Sequence, residues 1–425
     1  MRKIKLFLFV VFGAILPSVL LAQNSTKSPY TRYGYGKLAD RAYGSHRGMG
    51  GIGLGLRNSQ VINPLNPASF SNVDSMTFMF DFGMMGQLAW YEEGQNKSKK
   101  TNANLEYIAM QFPLTSNLGM GLGFEPVSFI GYNYYGSNGT DASTQSIYTG
   151  NGGLNKIYAS LSYKFSERFS GGVNVGYLFG NIVYNKQIVP LSGGNTMLWV
   201  DTLHSSSIVY EAGLQYVIPA GKDKALVLGA VFSPKIKLNN FVGKGEYSIN
   251  ASNIIQGSPY IYSTNDSVFE FPETYGLGLT YNIKNKLTTG LDVHYQKWAS
   301  AKFYDKTDTL SNRLKINVGG EYIPDYRSNK FFKRVHYRAG AYYSNSYVKI
   351  AGKGFKEYGA SLGFGFPMQD RRSFLNLAFD YTLVSPDVKS IQSEKKEYTF
   401  INEQYFRITI SYTFNELWFF KRKVQ

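Results

Sequence analysis

The stretch Phe406-Arg407-Ile408-Thr409-Ile410-Ser411-Tyr412-Thr413-Phe414 alternates strictly. Apolar residues occupy one parity and Arg, Thr and Ser the other, which is the period-two pattern of a strand with one apolar and one polar face. A surface strand of a soluble sandwich shows the same alternation, so one strand does not decide the class. The repetition does. Phe78, Phe80, Phe82 and Met84 oppose Thr77, Asp81 and Gly83, and Met120, Leu122 and Phe124 oppose Gly119, Gly121, Gly123 and Glu125. The pattern recurs at Ile157–Phe165, Tyr210–Tyr216, Tyr275–Tyr281, Leu291–Tyr295, Leu314–Val318, Leu362–Phe366 and Leu375–Tyr381. Less regular strands fall near 105–114, 169–185, 225–238 and 335–350. Together these make about fourteen strands of bilayer-spanning length.

The connections provide a separate test. Short turns at Thr115–Asn117, Ser166–Arg168, Ala220–Asp223, Lys284–Lys286 and Met368–Arg372 alternate with longer links at 91–104, 131–154, 187–205, 239–271 and 386–403. The links at 325–334 and 351–356 depart from that rule. Outer-membrane barrels have short periplasmic turns and long extracellular loops, whereas a sandwich has no reason to sort its loops. The expected fold is therefore all-β: a transmembrane antiparallel β-barrel over 75–416, multi-pass in a Gram-negative outer membrane. An even strand count places both chain ends in the periplasm.

The N-terminus agrees. Arg2, Lys3 and Lys5 precede an apolar run from Leu6 to Leu21, then Ala22 meets Gln23. This is the layout of a signal peptide over 1–22; the alternative, a membrane anchor, needs a longer span. With no cysteine, disulfides, thiolate catalysis and lipid attachment at Cys are excluded. Tyr (34), Phe (30) and Gly (44) are abundant, and aromatic residues favour strands. The aromatic, amphipathic final strand is the kind of C-terminal signal that barrel-assembly machinery reads during biogenesis. Beyond it, 417–425 forms a basic tail with Lys421, Arg422 and Lys423.

Residues 23–74 do not alternate. They are rich in Gly, Asn, Pro and Ser, and are either a disordered tail or a compact plug. Gly51, Gly53 and Gly55 lack the spacing, the preceding strand and the Lys-Ser/Thr pair of a phosphate loop; glycines here let backbone pack closely inside a barrel. The run Arg47-Gly48-Met49-Gly50-Gly51, the triplet Asn66-Pro67-Ala68 and the stretches Val318–Ile323 and Gly363–Pro367, together with the strands, resemble the long-chain fatty-acid transporter (FadL-like) family. The resemblance implies a hatch over 23–74 inside a fourteen-stranded barrel, with Asn66, Pro67 and Ala68 in it. It also implies uptake of hydrophobic molecules with sideways release at a kink in the third strand. There Gly123, Glu125 and Pro126 stand out, because proline cannot donate to a strand ladder. The Tyr-rich start, Ser28–Tyr33, is not a feature of the fatty-acid transporter.

The sequence carries few residues in catalytic or metal-binding arrangement. The four histidines, His46, His204, His294 and His336, have no metal-ligand spacing. Asp292 and His294 share a strand face, and with Ser300 they suggest a hydrolytic triad, but no nucleophile elbow is present. The chain reads as no enzyme, and no cofactor or metal is called for. Asp81, Glu106, Glu211, Asp292, His294, Glu321, Arg338, Asp380 and Arg407 are lumen-face polar residues. They either pair with one another and the hatch or line a path. The formal charge of +16 comes without a nucleic-acid recognition motif. Lipopolysaccharide phosphates and membrane lipid are better partners for outer Lys97, Lys99 and Lys100. The expected function is passive uptake of small hydrophobic cargo. The rival is a FadL-like subunit of an outer-membrane assembly or secretion complex, acting through contacts with other outer-membrane proteins.

Overall fold

The computed structural model describes residues 26–137, 143–250, 252, 255–256, 268–308, 310–393 and 396–417. The expected signal peptide over 1–22 and nearly all of the basic tail over 417–425 lie outside those residues.

Fourteen antiparallel strands form the wall: β1 Thr77–Glu93, β2 Asn96–Pro113, β3 Leu118–Ser137, β4 Thr144–Lys164, β5 Phe169–Pro190, β6 Thr196–Pro219, β7 Lys224–Ser233, β8 Thr274–Ile283, β9 Leu287–Gln296, β10 Arg313–Tyr322, β11 His336–Asn345, β12 Phe355–Pro367, β13 Phe374–Pro386 and β14 Asn402–Leu417. Each pairs with its neighbours in sequence, and β1 pairs with β14 from Thr77↔Leu417 to Glu92↔Asn402, which closes the barrel. The alternation explains the wall. On β4, Ile157, Leu161 and Tyr163 are exposed while Tyr158, Ser160 and Ser162 are buried; on β14, Arg407, Thr409, Ser411 and Thr413 are buried. Outward apolar residues meet lipid, and inward polar residues are covered from inside.

The long outer links differ from the expectation of loops. β1 and β2 stay paired as far as Glu93↔Asn96, so most of 91–104 is a strand hairpin. Much of 131–154 and 187–205 likewise belongs to β3–β6. Segment Asn239–Ile249 pairs with the outer part of β6. Past the bilayer both faces of a strand are solvated, so the period-two signal fades although the ladder continues.

A fourteen-stranded wall encloses more space than its own side chains fill. Residues 26–74 occupy it. Positions 42–56 are buried without interruption, and Ile52, Leu54, Ile62, Ala68 and Phe70 are fully buried. Towards the long-hairpin end, Tyr35 joins Ile130, Leu178, Trp298 and Tyr347 in the largest apolar cluster. The core is thus made between segment and wall.

Candidate functional site

The lumen segment is held by its backbone against glycines on the inner wall. Asn66 caps the short helix Pro67–Asn72 by accepting from the Ala68 N–H (3.0 Å), and Pro67 sits in its first turn, where its missing N–H is harmless. Asn66 Nδ2 donates to the Leu54 and Leu214 carbonyls at 2.8 and 3.0 Å. The wall opposite is Gly213 and Gly172; a Cβ on Gly213 would sit 2.1 Å from Asn66 Oδ1, and one on Gly172 2.6 Å from Pro67. Gly50 and Gly51 have φ of +68° and +84°, and Gly48 meets Gly363 backbone to backbone. The Gly50 N–H donates to Ser361 Oγ at 2.9 Å. Gly119 and Gly121 make room for Phe70, and Gly123 makes room for the Tyr158 ring.

The polar residues divide into groups. Glu211 takes a bidentate pair from Arg41 at 2.7 and 2.8 Å. Glu125 binds Lys156 at 2.6 Å and accepts from Tyr43 Oη at 2.7 Å. Asp40 binds Lys315 at 3.0 Å and Arg47 at 3.2 Å, while Arg47 also binds Glu106. Asp292 accepts from the Gly53 and Leu54 N–H groups at 2.6 and 2.8 Å. Apart from the Glu125–Lys156 pair within the wall and the Asp40–Arg47 pair within the segment, these contacts hold the segment to the wall. The others are made within the wall: Glu321 with Arg338 at 2.7 Å, Arg407 with Asp380 at 2.8 Å, and Asp81 accepting from Tyr107 and Thr413. Glu106 faces inward because β2 has an extra residue opposite Gly83/Met84, and such a bulge re-aims a side chain. Burial drives His46, on the segment, down to about 4; Lys315 and Arg47 hold Asp40 well below the usual carboxylate range.

No triad forms. Asp292 is occupied by the segment backbone, and exposed Ser300 donates its hydroxyl to the Lys297 carbonyl at 2.9 Å. His294 lines a cavity. Among the described residues no cluster is placed to hold a metal ion.

Among the described residues, the wall is broken between β2 and β3. β2 and β3 pair only from Pro113↔Gly119 to Ile108↔Phe124. Beyond Phe124, β3 continues along β4 with a bulge between Pro126 and Ser128. Its other edge is covered by the lumen segment: Lys37↔Phe129 and Leu38↔Ser128 pair antiparallel, and the Ala39 N–H donates to the Val127 carbonyl at 2.9 Å. The Gly131 N–H reaches Thr31 Oγ1 at 3.2 Å. Lumen backbone thus replaces β2 along this edge, as buried N–H and C=O groups require. A cavity of about 190 Å³ lies on one side of Leu38–Asp40, bordered by Arg41, Val127, Leu178, His294 and Trp298. A smaller one of about 70 Å³ lies at the break, between Leu105 and Glu106 of β2 and Pro126 and Phe129 of β3.

Sequence reasoning missed Asp40, Arg41, Lys156, Lys315 and Trp298. The adjacent opposite charges Asp40-Arg41 in a Gly- and Ser-rich segment were a usable signal. The inward glycines of the wall were another.

The profile of the BamG family matches residues 1–425. No curated protein matches the sequence significantly. Among solved structures, a Pseudomonas aeruginosa FadL homologue superposes with TM-score 0.61 at 15% identity, over 89% of this chain and 99% of that one. The toluene transporter TodX of P. putida gives 0.59 at 14%, over 89% and 99%. The Ralstonia pickettii toluene transporter TbuX gives 0.55 at 12%, over 88% and 98%. The fold is the FadL-type barrel.

Proposed function

The chain belongs to the BamG family, and from that premise and the geometry above we propose that it is an outer-membrane channel for passive uptake of small hydrophobic compounds. Residues 26–74 act as the hatch. The observation that carries this reading is the position of Leu38–Asp40 between the central cavity and the break in the wall. Displacing three residues joins the two spaces and opens a sideways exit past Pro126. A cavity of about 190 Å³ compares with the roughly 150 Å³ site that holds benzene in an engineered core, so cargo is expected at the scale of one ring. The toluene transporters of the same fold support that size. Cargo enters between the long hairpins, where exposed Lys97, Lys99 and Lys100 face lipopolysaccharide phosphates. It then moves down its gradient without an energy-coupling part. The short-turn rim and both chain ends lie in the periplasm.

The test is uptake of a single-ring apolar probe into proteoliposomes. Wild-type protein should pass it above empty vesicles, and deletion of 44–70 in a correctly assembled barrel should also admit small polar solutes. No probe flux in either form would defeat the reading.

A second reading, a subunit of an outer-membrane assembly or secretion complex, has its own support. The hatch is tied to the wall by the ion pairs of Arg41 with Glu211, Arg47 with Glu106 and Asp40 with Lys315, which suits a permanently closed barrel, and the chain's family bears a different name from the transporters. Isolation from membranes in mild detergent separates the two: stoichiometric partner proteins together with absent flux favour the second.

A further inference from the structure

Among the described links on the short-turn rim, Ile323–Val335, between β10 and β11, is the longest. It carries a short helix, Phe331–Arg334, with no buried residue. Phe332 is 74% exposed, and Tyr326 and Phe331 are exposed as well. Around them stand Arg327, Lys330, Lys333 and Arg334, with Asp325 the only acid. A connection in water has no reason to present aromatics in this way.

Its position supplies the reason. Phe331 stacks on Phe366 with the rings parallel at 6.2 Å. Tyr337 Oη donates to the Phe332 carbonyl at 3.0 Å, and the Tyr337 ring meets Phe364 edge-on. Phe364, Phe366 and Tyr337 face lipid, because Gly363, Gly365 and Arg338 point inward. The link therefore folds back along the outside of the wall at its rim rather than over the lumen mouth. Aromatic residues with an adjacent cluster of cations are what the interface of a bilayer selects.

We propose that Asp325–Arg334 is a binding site for an anionic glycerophospholipid. Phe332 and Tyr326 enter the interface, and Arg327, Lys330, Lys333 and Arg334 receive the phosphate. The source is the inner leaflet, since short turns lie on the periplasmic side of outer-membrane barrels. The site is independent of cargo and of the hatch.

Native mass spectrometry of the protein in mild detergent, titrated with phosphatidylglycerol or phosphatidylcholine, tests it. Phosphatidylglycerol should bind preferentially. The triple variant Lys330→Ala, Lys333→Ala, Arg334→Ala should weaken it by roughly fivefold per cation removed. The double variant Lys349→Ala, Lys353→Ala, in the link between β11 and β12 on the opposite rim, should leave it unchanged. Phe332→Trp reports insertion directly: its added fluorescence should be quenched by lipid brominated near the headgroup more than by lipid brominated at mid-chain. That measurement decides the matter if the first triple variant does not assemble. Equal retention of the two lipids, full retention by the first triple variant, or an unquenched Trp with binding only to an acidic protein would each overturn the proposal.

Discussion

Replacing Arg47 with Met should loosen the hatch without harming the wall. The Arg47 side chain is 6% exposed and bridges Glu106, 7% exposed, to Asp40. Glu106 belongs to β2, and among the described residues its side chain has no other ion-pair or hydrogen-bond partner. Asp40 keeps Lys315 at 3.0 Å. Met fills similar volume, so the main loss is a buried carboxylate left alone, which costs about 3–5 kcal/mol. At the lower end that is roughly a 150-fold shift towards the undocked hatch. The assay is labelling of a cysteine placed at Ala42, buried in the docked state, in a chain with no native Cys. Labelling should accelerate by about two decades in the variant, by the same arithmetic. Adding Glu106→Leu removes the stranded charge and should restore much of the protection, since replacing both members of a buried pair by apolar residues is often close to neutral. Equal labelling of Arg47→Met and the parent, or no recovery in the double variant, would refute the claim that this ion pair holds the hatch.

Gly213→Val should displace the Asn66-Pro67 corner, since its Cβ alone would sit 2.1 Å from Asn66 Oδ1; overpacking of this sort costs about 1–3 kcal/mol and would appear as faster proteolysis of the hatch in an intact barrel. Hatch docking should weaken as pH falls from about 6.5 to about 4, because a released His46 takes up a proton over that window while the docked one stays neutral. Below the usual Asp value the same sign holds for Asp40, which stays ionised when docked and protonates when released; labelling at position 42 against pH checks both, and a flat profile would contradict them. On intact cells, a cysteine at Glu167 should be protected and one at Lys97 reactive; labelling at 167 without permeabilisation would invert the topology.

The alternation in Phe406–Phe414 and its repeats was enough to read the barrel and its approximate strand number. A period-two face pattern is a local property, written wherever one side of a strand meets lipid and the other does not. The triplet Asn66-Pro67-Ala68 was marked only through the family resemblance; its local role, an Asn cap followed by Pro at the start of a helical turn, comes from the structure. The length of the outer hairpins was not legible, because β2 from Lys97 to Thr101 is exposed on both faces and leaves no period to read. Nor could any local pattern connect Arg41 to Glu211, Asp40 to Lys315, or the Gly53 and Leu54 amides to Asp292, pairs separated by 170 to 275 positions. Pro126 signalled an interruption in the ladder. Only the tertiary structure decided that Lys37–Ala39 would cover the resulting edge, because that depends on where a segment without periodicity comes to rest inside the closed wall.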